Sequence, residues 1–417
     1  MTYNLLADSL CDINDPDFID IPIDVLRWSN RCERLQKQLL KQSPDLACLQ
    51  ELDADRVEQF MRPFDAAHWS FIFTRRTGQN RDGCALLWKT AVFELLDQRA
   101  LEFKHMPGAD GVTPLTFMDR DNVAQIVALR HRASGRLLVV GNCHLLFNQN
   151  RGEIKLAQLV GMFRAIAELK ARHQSAAGPP PAVLIGGDFN STPLSGIYTL
   201  VTSGVLDLRN ADTRLLSGQQ RFVSRFNPML PVMQKAHEIR QIMEIAAKCF
   251  GAAPVLPADA ATELATVPAA MAPPTEQAEE EDDEEEGEEN DDAASALPRR
   301  RADDDDDDDD GDYDAVVPAA AAASSSNNDT PLVLHHTLDL QSAYPRASEL
   351  ARNAATCMRK RRTDQKWVDH IFTSPQLRVL SVLAVPHNVR DKISPFGLPT
   401  RNHPSDHLPL CAVVEFK

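Results

Sequence analysis

Five polar clusters in this 417-residue sequence carry side chains suited to hydrolytic chemistry: Asn4, Glu51, His144, Asp188 with Asn190, and Asp369 followed by the pair Asp406-His407. Carboxylate oxygens from Glu51, Asp188 and Asp406 suit a hard divalent cation, Mg²⁺ or its substitute Mn²⁺. An aspartate or histidine can aim a water in line with a leaving oxygen. Imidazole and amide N–H groups can stabilise charge that develops on non-bridging oxygens. Phosphodiester hydrolysis needs these three functions, and the set supplies them all.

Taken singly, the residues have plainer readings. Glu51 after Cys48-Leu49-Gln50 reads as a solvent-facing helix-start or turn carboxylate, and His144 as a hydrogen-bonded histidine closing a strand. Asp188-Phe189-Asn190-Ser191 reads as an Asx turn or helix cap. Ser405-Asp406-His407 is harder to dismiss, because three polar groups precede the apolar run Leu408–Val414. Their joint occurrence at the ends of apolar runs is what points to chemistry.

Those runs predict the elements that must position them. Arg31–Gln42 places Cys32, Leu35 and Leu39 on one helical face, and Ser43-Pro44 ends it. Asp45–Gln50, Gly83–Trp88, Asn122–Leu129, Arg136–His144 and Ala182–Gly187 read as strands. Glu153–Arg172 is the best helix, with Leu156, Leu159, Val160, Phe163, Ile166 and Leu169 on its inner stripe. A second helix is expected over Val232–Phe250 with Pro231 before it, and strands over Trp367–Thr373 and Leu408–Phe416. The result is a mixed α/β domain without internal repeats.

Composition divides the chain further. Residues 251–330 hold 26 acidic and 3 basic residues, including the octad Asp303–Asp310 and the run Glu279–Glu286. That composition buries too little apolar surface to offset ordering entropy, so an acidic, low-complexity, disordered insert is expected. Residues 1–250 and 331–417 are then expected to form one interrupted catalytic domain. The segment's net −23 against −16 for the whole chain leaves +7 on the other 337 residues. A basic domain suits a phosphate-rich partner. The eight cysteines form no CxxC pair and mostly sit in apolar runs, so buried free thiols are expected. No apolar run reaches membrane-spanning length and no signal-peptide pattern opens the chain. A soluble intracellular protein of cytoplasm or nucleus is expected, without membrane partners.

Taken in order, the clusters resemble the endonuclease/exonuclease/phosphatase superfamily. The matching stretches are Thr2-Tyr3-Asn4-Leu5-Leu6-Ala7, Leu49-Gln50-Glu51, Asn142-Cys143-His144-Leu145, Gly187-Asp188-Phe189-Asn190-Ser191, Val368-Asp369-His370-Ile371-Phe372 and Ser405-Asp406-His407-Leu408. Within its deadenylase-related branch, the Angel proteins are similar at Arg75-Arg76-Thr77-Gly78, Asp82-Gly83-Cys84-Ala85, Arg120-Asp121-Asn122-Val123 and the stretch Asn148–Gln158. The resemblance implies a four-layer fold, two packed sheets flanked by helices. It implies Glu51 as the principal metal carboxylate, Asn4 orienting Asp188, and Asp188 aligning the water with Asn190 beside it at metal or phosphate. His144 would donate to the phosphate. His407, oriented by Asp369, would contact the scissile phosphate, with Asp406 on the metal side. Asn122 reads equally as a supporting amide or as the start of a strand.

The resemblance also implies a substrate, RNA, hydrolysed at its 3′ end in the manner of a 3′→5′ exoribonuclease. Poly(A)-selective relatives clamp the terminal adenine between a proline and an aromatic. Here Gln149 stands at the proline position, and residues 359–366 supply no aromatic at the expected spacing before Asp369. Trp367 is too near Asp369 and is expected to pack in the strand. That departure favours an alternative, hydrolysis of 2′,3′-cyclic phosphates at RNA ends. A reading of another class is a catalytically inactive RNA- or translation-associated binding protein, against which the full residue set argues. DNA-repair endonucleases and inositol or sphingolipid phosphatases lack the Angel-like stretches. The first strand is expected to be short, since only three residues precede Asn4. The basic cluster Arg359–Arg362 with Lys366 reads as an RNA footprint, a solvated loop or a nuclear-import address. The acidic insert is a candidate contact for a protein partner and a candidate competitor for RNA.

Overall fold

The apolar runs build two sheets that pack face to face, each covered outside by a helix. The computed structural model describes every residue except 13, 177, 210, 220–234, 255–331, 352–353, 359–364, 387–392 and 395–396. The expected acidic insert therefore lies almost wholly outside the described residues, as do Arg359–Arg362 and the expected start of the second helix.

The first sheet holds β1 (Thr2–Asn4), β2 (Leu46–Asp53), β3 (Trp69–Arg75) and β4 (Asp82–Lys89) in the order β1-β2-β4-β3. β1 is as short as expected, and it runs parallel to β2. The second sheet contains β5 (Phe93–Glu102), β6 (Val123–His131), β7 (Leu137–His144) and β8 (Ala182–Asp188). A small pair follows, β9 (Val205–Asp207) with β10 (Val333–His335). β11 (Gln341–Ser342) and, beyond the short pair β12 (Cys357–Met358) and β13 (Gln365–Lys366), β14 (Asp369–Thr373) complete the second sheet as β11-β14-β8-β7-β6-β5. Strands from before and after residues 255–331 therefore share one sheet. β15 (Leu377–Val382) and β16 (Ala412–Phe416) form a final antiparallel pair.

Strand alternation creates the layers. Leu138 and Val140 of β7 meet Cys48 and Leu86 of the first sheet in the interface core. Val139 and Cys143 point the other way, toward Leu159, Phe163 and Ile166 of a long helix, Gly152–His173. On the opposite outer face, Cys32, Leu35 and Leu39 of Trp28–Gln42 pack on Ala47 and Leu49. Burying each such leucine stabilises the fold by about 1.5–3 kcal/mol. Ser43 closes that helix in the left-handed conformation, its N–H bonded to the Leu39 carbonyl. Beside the long helix, Ala236–Phe250 buries Ile239, Ile242 and Ile245. Among the described residues no helix is long and apolar enough to cross a membrane.

The sheets are also tied by polar groups. Gln50 Nε2 donates to Asn142 Oδ1 at 2.7 Å, and Asn142 Nδ2 donates to Leu49 O, Ala85 O and Gln125 Oε1. Buried amides cross-linked in this way hold the two sheets in one register. Four cysteines are buried as expected, whereas Cys11, Cys249, Cys357 and Cys411 are only partly covered; none forms a disulfide. These four lie on loops, short edge strands or a helix end, where one side of the element faces solvent.

Candidate active site

Three neighbouring strands end in register at one edge of the sandwich. His144 closes β7, Asp188 closes β8, and Asp369 opens the antiparallel β14; pairing sets His144 opposite Asp188 and Asp188 opposite Asp369. On β7, Leu138, Val140 and Asn142 face the first sheet, so alternation turns His144 toward it too. β8 can approach β7 this closely because Gly187 has no Cβ, which would lie 2.2 Å from the Cys143 carbonyl oxygen.

From the first sheet, Asn4 reaches across at the end of β1. Its Nδ2 donates to Glu51 Oε1 at 2.7 Å and to Asp188 Oδ2 at 3.1 Å, joining the two carboxylates. Simple alternation would send Glu51 to the opposite face from Gln50. A break in the β2–β4 register between Leu49 and Leu52, with Glu51 at φ 54°, redirects it. A bulge of this kind re-aims a side chain at the cost of local strain. Leu6 (φ 57°) and Asn190 (φ 45°) share the left-handed conformation beside the same site. Glu51 is 4% exposed, so the expectation of a solvent-facing carboxylate is corrected.

The C-terminal segment brings the last groups. Ser405 Oγ donates to the Asn4 carbonyl at 2.7 Å and accepts from the His407 N–H at 3.1 Å. His407 Nδ1 then bonds Asp369 Oδ2 at 2.8 Å, while Nε2 lies 3.8 Å from Asp188 Oδ2. His144 Nε2 lies 3.6 Å from the same oxygen. Burial works against a charged His407, but nearby Cys357, Asp369 and Asp406 outweigh it and hold its pKa well above the usual histidine value.

Two supports escaped sequence reasoning. Thr356 Oγ1 accepts from the Val368 and Asp369 N–H groups, while its carbonyl accepts from Leu408, so one threonine fixes both halves of the Asp369–His407 pair. Lys155, fully buried, donates from Nζ to the Asn190 carbonyl at 2.7 Å. Burial lowers the Lys155 pKa to about 7. A charged residue inside an otherwise apolar helical stripe was the available signal for Lys155; nothing local marked Thr356. Asn190 also donates its N–H to Asp188 Oδ1 and its Nδ2 to the Leu145 carbonyl. Asn122 sits behind the site, donating to the His144 carbonyl at 3.3 Å and accepting from Gln158.

The residues fit a divalent cation. Glu51, Asp188, Asp369 and Asp406 are all nearly or fully buried. Among the described residues no Lys, Arg or His pairs with Glu51, whose donors are the neutral Asn4 amide and the Ala7 N–H. Buried carboxylates without a counter-charge are unfavourable, and their hard oxygen donors suit a hard divalent cation. Asp369 Oδ1 and His144 Nδ1 are also buried without a hydrogen-bond partner among the described residues. Asp188, Asp369 and His407 bring their donor atoms within 4.8 Å of one another; Asp406 converges instead with Cys357 and His407. Trp367 is 1% exposed, donates from Nε1 to the Asp369 carbonyl and packs edge-on against Tyr344, so it offers no stacking face.

Comparison with known proteins agrees with this architecture. The model described as "Endonuclease/Exonuclease/phosphatase family" matches residues 1–407. The chain is similar to Protein angel homolog 2 of Danio rerio, 38% identical over 225 residues that cover 53% of this chain and 38% of the relative. It is similar to Carbon catabolite repressor protein 4 homolog 3 of Arabidopsis thaliana, 32% identical over 222 residues, 53% of this chain and 46% of the relative. The match thus spans less than half the length of either relative. Among solved structures, ANGEL2, described as a 2′,3′-cyclic phosphatase, superposes with TM-score 0.68 at 24% identity, covering 99% of this chain and 93% of that one. The human Nocturnin catalytic domain superposes with TM-score 0.51 at 14% identity, covering 100% and 93%. At these identities the likeness shows the fold, a four-layer sandwich of two sheets flanked by helices.

Proposed function

This chain belongs to the endonuclease/exonuclease/phosphatase family, and from that premise we propose that it is a divalent-metal phosphoesterase hydrolysing phosphodiester bonds at RNA 3′ ends. One observation carries the reading: strand register and the Asn4 amide bring Glu51, Asp188, Asp369 and His407, distant in sequence, to one buried edge.

Glu51 would hold the ion, with Asp188, Asn190 and Asp406 as further oxygen donors. The ion, when bound, neutralises phosphate charge and lowers the barrier to attack. The protein's own groups do the rest. Asp188, fixed by Asn4 and the Asn190 N–H, accepts a proton from the attacking water and holds it in line. His407 is held by Asp369 in the orientation that leaves Nε2 facing Asp188, where an N–H can donate to a phosphate oxygen. His144 approaches the same point from the neighbouring strand, steadied through its carbonyl by Asn122.

The leading form of the reaction is 3′→5′ exonucleolytic release of nucleotides. A second reading, hydrolysis of a terminal 2′,3′-cyclic phosphate, is favoured by one observation: Trp367 is buried and Gln149 replaces the proline, so a base clamp lacks both its parts among the described residues. The described activity of ANGEL2 is of that second kind. Mass spectrometry of products from 3′-hydroxyl and cyclic-phosphate oligonucleotides separates the two. Release of mononucleotides supports the first; ring opening to a monophosphate without shortening supports the second. No product from either substrate, with Mg²⁺ or Mn²⁺, defeats the proposal.

A further inference from the structure

Among the described residues, Cys357 is the one thiol whose donor atom converges with groups of the active edge. Its sulfur, an Asp406 oxygen and a His407 nitrogen all lie within 4.8 Å of one another. The arrangement is built by backbone pairing. Cys357 opposes His407 in an antiparallel bridge, flanked by Met358 N–H to the Asp406 carbonyl (3.0 Å) and Leu408 N–H to the Thr356 carbonyl (2.7 Å). Directly opposed residues of an antiparallel pair carry their side chains on the same face. Asp406 and His407 are buried, whereas Cys357 is only partly covered and forms no disulfide.

Nothing in metal-assisted phosphodiester hydrolysis calls for sulfur. Mg²⁺ takes oxygen ligands and gains nothing from a thiolate. A cysteine, a carboxylate and an imidazole are instead a donor set for zinc or cadmium, with water as fourth ligand. A tetrahedral zinc ion spaces its donors about 3.5 Å apart, so the three must close by little more than about 1 Å.

We propose that Cys357, Asp406 and His407 form an inhibitory site for a soft divalent cation, Zn²⁺ or Cd²⁺, which disables the enzyme by capturing His407. This rests on the reading of His407 as a phosphate-contacting group. Either imidazole nitrogen suffices for capture: Nδ1 is the atom that Asp369 holds, and Nε2 the atom that faces Asp188. Binding expels the thiol proton and any imidazolium proton to solvent, so charge balances without a redox step. The thiol distinguishes the two metals: the hydrolytic ion ignores it and the inhibitory ion requires it.

The test uses the full chain, with Cys357→Ser and Cys357→Ala. In excess Mg²⁺, Zn²⁺ should inhibit the wild type at concentrations at least about tenfold below those needed for either variant, the usual scale for losing a ligand. Sensitivity is read against each variant's own Mg²⁺-supported rate, because Cys357 also helps to hold the His407 charge. Independently of activity, Co²⁺ should give the wild type a near-ultraviolet thiolate-to-metal charge-transfer band that both variants lack. Equal Zn²⁺ sensitivity of wild type and variants, or a band that survives Cys357→Ala because Cys11, Cys249 or Cys411 supplies it, overturns the proposal. A protein inactive on every RNA end would defeat the functional reading, and the Co²⁺ titration would still decide this one.

Discussion

Asp369 is proposed to act on the reaction only through the His407 imidazole, and a double-mutant cycle tests that dependence. The perturbations are Asp369→Asn, His407→Ala and their combination. The bond between Asp369 Oδ2 and His407 Nδ1 is 2.8 Å long, and the two residues are 1% and 4% exposed. A buried hydrogen bond to a charged group is worth about 1.5–3 kcal/mol, equivalent to about 10- to 150-fold in rate. Asp369→Asn should therefore lower turnover by that factor while His407 is present, and have little effect once it is absent. The coupling energy should be about 1.5–3 kcal/mol. Removing His407 leaves Asp369 buried without its partner, at about 3–5 kcal/mol of stability, so each variant's fold must be checked by circular dichroism; His407→Asn serves if the alanine variant unfolds. Single-turnover rates give the cycle. The pH profile adds a readout that packing alone would not move: losing the Asp369 charge lowers the His407 pKa, so the alkaline limb shifts to lower pH. Free-energy losses that simply add would refute the dyad.

Other predictions follow from the same geometry. Glu51→Gln should abolish turnover, keep or raise the metal-free melting temperature by relieving a buried charge, and remove the stabilisation that Mg²⁺ gives the wild type; a Mg²⁺-induced shift unchanged in the variant would exclude Glu51 as the principal ligand. His336 is buried as the Nε2–H tautomer, donating to the Leu200 carbonyl at 2.8 Å and accepting at Nδ1 from the Leu338 N–H. Burial holds its pKa at about 4, against 6.5 when unperturbed. Between those values the unfolded chain binds the proton more readily, so this stability is intact above pH 6.5 and falls as the pH drops towards 4. Urea unfolding should show His336→Gln losing about 2–3 kcal/mol less than wild type between about pH 7 and about pH 4.5; an equal loss in both contradicts the assignment. Deleting residues 251–330, net −23, should tighten RNA binding at low salt and make less difference as salt rises; equal affinities at low ionic strength would mark the segment as a passive spacer.

Legibility followed locality. β7 and β8 are apolar runs that stop at His144 and Asp188, so sequence places their ends well and the observed bounds agree to within a residue. β5 went unread because its register shifts between Leu95 and Asp97 and its residues alternate only partly in exposure, leaving neither a clean period of two nor a continuous apolar run. The expected strand Leu408–Phe416 begins at Ala412 in the structure, because Leu408 and Leu410 are diverted to separate bridging contacts with Thr356 and Thr2. Likewise the expected Trp367–Thr373 strand starts at Asp369, with the Trp367 indole donating to the Asp369 carbonyl two residues on. At the site, residue types and order were visible, whereas the Glu51 bulge, the Thr356 brace and the Cys357 approach depend on partners far along the chain.

This buried edge is proposed to hydrolyse RNA 3′ ends with a divalent metal. The most direct test incubates the purified chain with oligonucleotides bearing 3′-hydroxyl or 2′,3′-cyclic phosphate ends, with Mg²⁺, with Mn²⁺ and with chelator, alongside Glu51→Gln. Phosphodiester hydrolysis at the 3′ terminus should need the metal and disappear in the variant. Terminal hydrolysis that persists in chelator or in Glu51→Gln, or RNA bound tightly yet left intact under every metal condition, would contradict it.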